Sequence, residues 1–392
     1  MATVFLALIY ASFVSLGLPD AVLGAAWPVM GKELAVPDGY AGLLSMTVAG
    51  GTVVSSLLAD RLLSRFGTGR VTAASVALTA AALLGYCFAP GFFWLVVLAV
   101  PLGLGAGAVD AGLNNFVALH YGARHMNWLH CFWGLGAMLG PLVLTGVVEK
   151  PGGWRIGYGI VSGLQWVLVA VLAATLPLWN RFEHRPAPSE QAPRPVVGTV
   201  VHLPGAAQQI LAYFFYCSIE ATAGLWAASW MVSARGVAAA TAAGWVSMYY
   251  LGITAGRFLS GCVTRRFSTL TLIRLGEGVC MAGMLVLAFG PAFLCPVGLG
   301  LVGLGFAPVY PGLMHETPRR FGPVYSQSMI GLQMAGAYLG STLMPPVFGA
   351  LAARVGVAFL PWFLLAGALL LTICGEQAVR RSRVNVLDEE GD

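Results

Sequence analysis

Apolar runs of about 20 residues, the length needed to cross a hydrocarbon core ~30 Å thick, recur from one end of this 392-residue chain to the other. A chain built this way takes the bilayer as its solvent. Only 9% of its residues are charged, against about a quarter in soluble domains, so there is too little polar surface to face water. Segmentation by Gly, Pro and charged residues predicts helices near 4–29, 40–62, 70–89, 92–119, 128–148 and 156–179. Six more are predicted near 207–233, 242–263, 270–290, 292–315, 327–350 and 357–377. The first run has no basic segment ahead of it and extends to Pro28, which is long for a cleaved signal peptide, so it is read as the first span. The seven cysteines show no CxxC spacing and fall almost entirely in apolar segments, which predicts small packing residues rather than disulfides or a metal site.

The expected fold is therefore all-α and membrane-integral, with twelve transmembrane helices in two pseudo-symmetric six-helix bundles over 1–179 and 207–378. Residues 180–206 carry five prolines together with Arg181, Glu183, His184, Arg185, Glu190 and Arg194, and are predicted to form an extended linker. Residues 379–392 form a polar tail. With the termini cytoplasmic, fifteen arginines fall in the cytoplasmic connections, linker and tail. The other side holds only Lys32, Lys150, Arg155, Arg235 and Arg354. That imbalance predicts both termini and the linker inside the cell, in a plasma (bacterial inner) membrane.

The halves repeat one another at an offset of 200 residues. Asp20-Ala21-x-x-Gly24 recurs as Glu220-Ala221-x-x-Gly224, and Gly103-Leu104-Gly105 with Gly112-Leu113 recurs as Gly303-Leu304-Gly305 with Gly312-Leu313. Gly136-Ala137 and Gly140 return as Gly336-Ala337 and Gly340. Parallel six-helix repeats are a transporter architecture whose substrate site lies at their interface near mid-membrane.

A carboxylate inside a membrane helix needs a partner, a proton or a water-filled cavity. Asp20, Asp110 and Glu220 occupy the first, fourth and seventh spans that bracket such an interface, and are the candidates for proton coupling. Asp20 and Glu220 are also candidates for holding substrate or a second cation. Glu277, near its helix end and Arg274, is assigned to helix packing. Asp110 and Asn114 share one helix face, as do Asn127 and His130. Asn114, Asn115, Asn127, His130, Trp226, Tyr249, Tyr310 and Gln333 complete the candidate substrate-binding set, since amides, phenols and flat rings suit hydroxyl-bearing ligands. Packing and interfacial anchoring are the ordinary alternatives for the histidine and the aromatic residues. Desolvation should favour a protonated Asp110 near neutral pH.

These residues resemble the major facilitator superfamily over essentially the whole chain. Leu58-Ala59-Asp60-Arg61 through Arg65-Phe66-Gly67 is similar to its loop signature, which implies a cytoplasmic gate latch from Asp60, Arg61 and Arg65. Gly256-Arg257 and Arg265-Arg266-Phe267 resemble a degenerate second copy. Gly17-x-x-Asp20, Asp110-x-x-x-Asn114, Asn127-x-x-His130 and Tyr216-x-x-x-Glu220-x-x-x-Gly224-x-Trp226 resemble the fucose/galactose/glucose:proton symporter family. The resemblance implies proton-coupled uptake of a small neutral solute by alternating access, with Asp110 where fucose permeases carry a proton-titrating Glu. The sequence departs from those permeases at Gly24, where they place an Asp, its own acid lying one turn earlier at Asp20.

The implied protein is a monomer whose partners are a small solute and the lipid bilayer, with no nucleic acid. It needs no cofactor beyond a proton, or sodium, as coupling ion. A drug/proton antiporter is the alternative: Gly136-x-x-x-Gly140-Pro141 partly matches an antiporter motif but lacks the paired glycines that should follow. A non-transporting sensor would add a soluble signalling domain. A membrane-embedded enzyme would need a nucleophile and base, or a metal pattern such as HExxH, neither of which is found in the sequence.

Overall fold

The computed structural model describes residues 2–120, 123–182, 200–263 and 266–389, and among these no residue is in a strand. The first span is not the continuous helix predicted over 4–29. It is two helices, α1 (Ala2–Asp20) and α2 (Val22–Glu33), broken at Ala21. Pro19 has no N–H to offer the Ser15 carbonyl one turn back, and its ring crowds that group. The Gln165 amide, on the sixth span, donates to the Ser15 oxygen at 2.9 Å instead.

The first half continues with α3 (Tyr40–Phe66), α4 (Thr68–Phe88), α5 (Phe92–His120), α6 (Ala123–Thr145) and α7 (Gly153–Phe182). The second half consists of α8 (Ala206–Arg235), α9 (Ala239–Val263), α10 (Thr269–Phe289), α11 (Cys295–Phe306), α12 (Val309–Val355) and α13 (Leu360–Glu389). α12 is two spans, 309–321 and 323–355, folded back at Gly322 with φ 75° and ψ 158°, a conformation that an L side chain resists. The tenth span is thus α11 continued by 309–321, interrupted before Pro308. Among the described residues, ten segments have the length and apolarity to cross a membrane. The other two of the twelve are α9 and residues 323–355, long enough but richer in Gly, Ser, Thr and Tyr. Helix extends beyond the predicted limits at several ends: α7 reaches into the predicted linker, of which 183–199 lies outside the described residues, and α13 continues through most of the predicted tail.

Burial is arranged for lipid. Leu57, Phe88 and Phe289 are 78%, 78% and 73% exposed on the outside, while Trp27, Trp154, Trp226 and Trp230 are buried between helices. Repeat-related positions pack alike: Gly140 lies against the Leu18 backbone of α1, and Gly340 against the Phe214 backbone of α8. The halves join at the end remote from the termini. There Ser247 donates to the Met138 carbonyl at 2.9 Å, and the Ala240 N–H donates to Glu149 at 3.1 Å. Gly24 and Gly224, equivalent in the repeat, meet backbone to backbone, and a Cβ added at Gly24 would overlap the Gly224 carbonyl and stand 2.9 Å from the Leu225 Cα.

Candidate functional site

A cavity of about 450 Å³ lies between the halves, with walls from α1, α3, α4, α5, α6 and α7 on one side and α8, α9 and α12 on the other. Three of its wall residues are carboxylates. Asp20 sits where α1 ends, and the Trp133 indole N–H donates to its Oδ2 at 2.8 Å. Asp110 accepts from the Asn114 amide at 2.8 Å, one helical turn along α5. Glu220 accepts from the Tyr216 hydroxyl at 3.2 Å, and its backbone carbonyl accepts from the Tyr249 hydroxyl at 3.1 Å.

The cation in this wall is Arg257. Its guanidinium is 3.8 Å from Glu220, with the side chains 16% and 22% exposed, and it lies over the Trp133 ring at 5.6 Å from the centroid. Asp20 and Glu220, equivalent in the repeat, are therefore connected across the central axis through Trp133 and Arg257. A partly desolvated guanidinium gains from both the carboxylate and the ring face. Glu220 is thus charge-compensated, whereas the hydrogen-bond partners of Asp20 and Asp110 are an uncharged indole and an uncharged amide.

His130 lines the cavity with its ring edge-on to Phe13 at 6.0 Å. Tyr310 lines it too, its hydroxyl directed at the Met334 sulfur at 2.8 Å. Three residues expected at the site lie elsewhere. Trp226 is fully buried in the remote closure and donates to the Pro345 carbonyl at 3.0 Å. Tyr249 supports Glu220 from behind rather than facing the cavity. Gln333 is fully buried within the α12 hairpin, donating to the Thr317 hydroxyl at 2.9 Å. In each case a buried donor has found a partner inside the protein. Glu277 is buried near the Arg274–Glu376 pair, whose two hydrogen bonds measure 2.6 and 2.8 Å, away from the cavity.

The side chains of Asn115, Asn127 and Asp60 lie outside the described residues. Arg61 and Arg65 are exposed, and the Arg65 guanidinium rests 5.3 Å from the Phe66 ring centroid. Sequence reasoning missed Arg257 as a site residue by grouping it with a loop signature. The signal was present, since a cation in mid-span carries the same membrane cost that singled out the acids. Gln165, in the cavity wall, was also missed.

Residues 8–314 match the family model described as Major Facilitator Superfamily. The glucose/mannose transporter GlcP of Bacillus subtilis (strain 168) is 22% identical over 316 residues, 77% of each chain. Among solved structures, a bacterial homolog of the human lysosomal transporter Spinster, inward-facing and occupied, has a TM-score of 0.75 at 12% identity and covers 97% of both chains. A D-xylose-proton symporter also has a TM-score of 0.75 at 12% identity, covering 94% of this chain and 96% of its own.

Proposed function

The chain belongs to the Major Facilitator Superfamily, and we propose that this transporter takes up a small neutral solute of the sugar class together with a proton, by alternating access. The observation that carries the reading is the cavity wall. Hydroxyls, an amide and aromatic faces, which suit a polyhydroxylated ligand, stand beside carboxylates that outnumber the cations near them. A neutral cargo leaves that excess unchanged, whereas each proton bound removes one negative charge from it. The sugar specificity printed for the Bacillus relative and for the xylose symporter supports the same class of cargo.

In this reading the termini and linker are cytoplasmic, so the remote closure faces the outside of a plasma membrane. Asp110 exchanges the proton, or a sodium ion in its place. Asp20 and Glu220 hold the solute from opposite halves, and Arg257 sets the charge of Glu220. Asp60, Arg61 and Arg65 latch the cytoplasmic gate, and the monomer is the working unit. The test is uptake of labelled glucose, mannose and xylose into proteoliposomes under an imposed inward proton gradient. At least one should accumulate, and a protonophore should abolish the accumulation. Transport of none of them, with proton-driven movement of a lipophilic cation in the opposite direction, would replace symport by efflux.

A further inference from the structure

We infer that the cavity has a second compartment, a slot in the first half between α1, α4 and α7 that takes a hydroxyl-bearing end of the cargo. The inference rests on the sugar-class reading above and deepens it. It starts from three hydroxyls, Ser15 Oγ, Tyr86 Oη and Tyr158 Oη. All three belong to residues of the cavity wall that are at least 96% buried, and none has a hydrogen-bond partner. A buried hydroxyl without a partner is costly, and native proteins leave few of them. Three in one wall mark a place where a partner arrives from outside the chain.

The slot is built rather than accidental. Its floor is fixed by Gln165, whose oxygen accepts from the Thr79 hydroxyl at 3.0 Å and whose amide donates to the Ser15 carbonyl at 2.9 Å. That carbonyl is available because Pro19 breaks the helix above it. At the other end the Tyr86 and Tyr158 rings meet edge-to-face at 5.0 Å. Thr79, whose Gln165 partner also holds the Ser15 backbone, and Tyr86 are seven residues apart on one helix, roughly 10 Å, so the unmatched hydroxyls of Ser15 and the two tyrosines are spread along a groove rather than gathered at one point. Each phenol both donates and accepts, as a sugar hydroxyl does.

The repeat shows that the fold does not need these polar groups. Ser15 corresponds to Phe215 at the 200-residue offset. When the matching helix ends Phe88-Ala89-Pro90 and Phe289-Gly290-Pro291 are aligned, Thr79 and Tyr86 correspond to Cys280 and Leu287. The second half fills the equivalent positions with apolar or weakly polar side chains. The hydroxyls of the first half therefore answer to a ligand rather than to packing.

The test uses the full-length protein in nanodiscs, with binding of glucose, mannose, xylose and sorbitol measured by calorimetry and melting followed without ligand. For the sugar that binds most tightly, Tyr86→Phe and Tyr158→Phe should each weaken binding about tenfold, and Ser15→Ala less, with the melting temperature of the unliganded protein unchanged or higher. A set of single-deoxy analogues of that sugar should include one that binds the wild type about tenfold more weakly but binds one Tyr→Phe variant as well as the parent sugar does. This arm remains informative if a different variant fails to fold. A slot that holds only water predicts unchanged affinity in all three variants and no such analogue, and that result overturns the inference while leaving the sugar reading intact. A wild type that binds none of the four overturns both.

Discussion

Asp110→Asn should abolish accumulation of the solute against its gradient and leave exchange of labelled for unlabelled solute intact. Of the three carboxylates in the cavity wall, Glu220 already has a guanidinium at 3.8 Å. Asp110 has an amide from its own helix at 2.8 Å, so its charge is cancelled only when a proton binds. In the proposed cycle the loaded carrier closes around a neutral Asp110 and then releases the proton to water on the other side, which would tie the two fluxes together. Asparagine imitates the neutral form permanently. The steady-state inside-to-outside ratio under a proton gradient should fall to about 1, while exchange, which needs no net proton movement, continues. Retained accumulation would transfer coupling to Asp20, the other carboxylate without a cation partner. Loss of exchange in well-folded protein would make Asp110 a ligand of the solute.

Gly24→Val should hold the transporter open at the end remote from its termini. Closure there brings the Gly24 backbone against the Gly224 carbonyl and the Leu225 Cα, positions with no room for a Cβ. These atoms belong to backbone and cannot turn aside as a flexible side chain would. Over-packing of this kind costs about 1–3 kcal/mol, which moves the equilibrium away from the closed state by about fivefold to 150-fold. Transport should fall in proportion to the lost population, while the solute still binds from the remote side. The measurement is labelling of a cysteine introduced in the cavity wall, in a background without reactive native thiols, by a membrane-impermeant reagent applied to each side. Unchanged labelling and wild-type transport would mean that the glycine contact does not form the seal.

The sequence made the number of spans and the two-fold repeat legible because both depend on signals that survive without an alignment: run length and a fixed offset. The acids were legible for a related reason, since an ionisable group in hydrocarbon is expensive wherever it points. Direction was not legible. In helices apolar on every side there is no hydrophobic face to reveal rotation. Nothing in the sequence therefore turns Gln333 and Trp226 away from the cavity toward their partners, Thr317 and the Pro345 carbonyl. The break at Ala21 was hidden because a proline in a membrane helix ordinarily only kinks it, and the group that replaces the lost bond, Gln165, is some 150 residues away. The second-half position of Arg257 across from Trp133 needed three dimensions, although its cost was readable in one.

Central to the proposed function is the movement of solute and proton together, in the same direction, through the cavity between the halves. It is tested most directly by adding the transported sugar to lightly buffered proteoliposomes in the absence of any proton gradient and following the external pH. Symport predicts that the external medium becomes more alkaline as the sugar enters, that the signal disappears with a protonophore, and that it is absent in Asp110→Asn although sugar exchange persists. Sugar entry with no pH change would contradict coupling to protons, and acidification of the medium would contradict the direction of coupled flow.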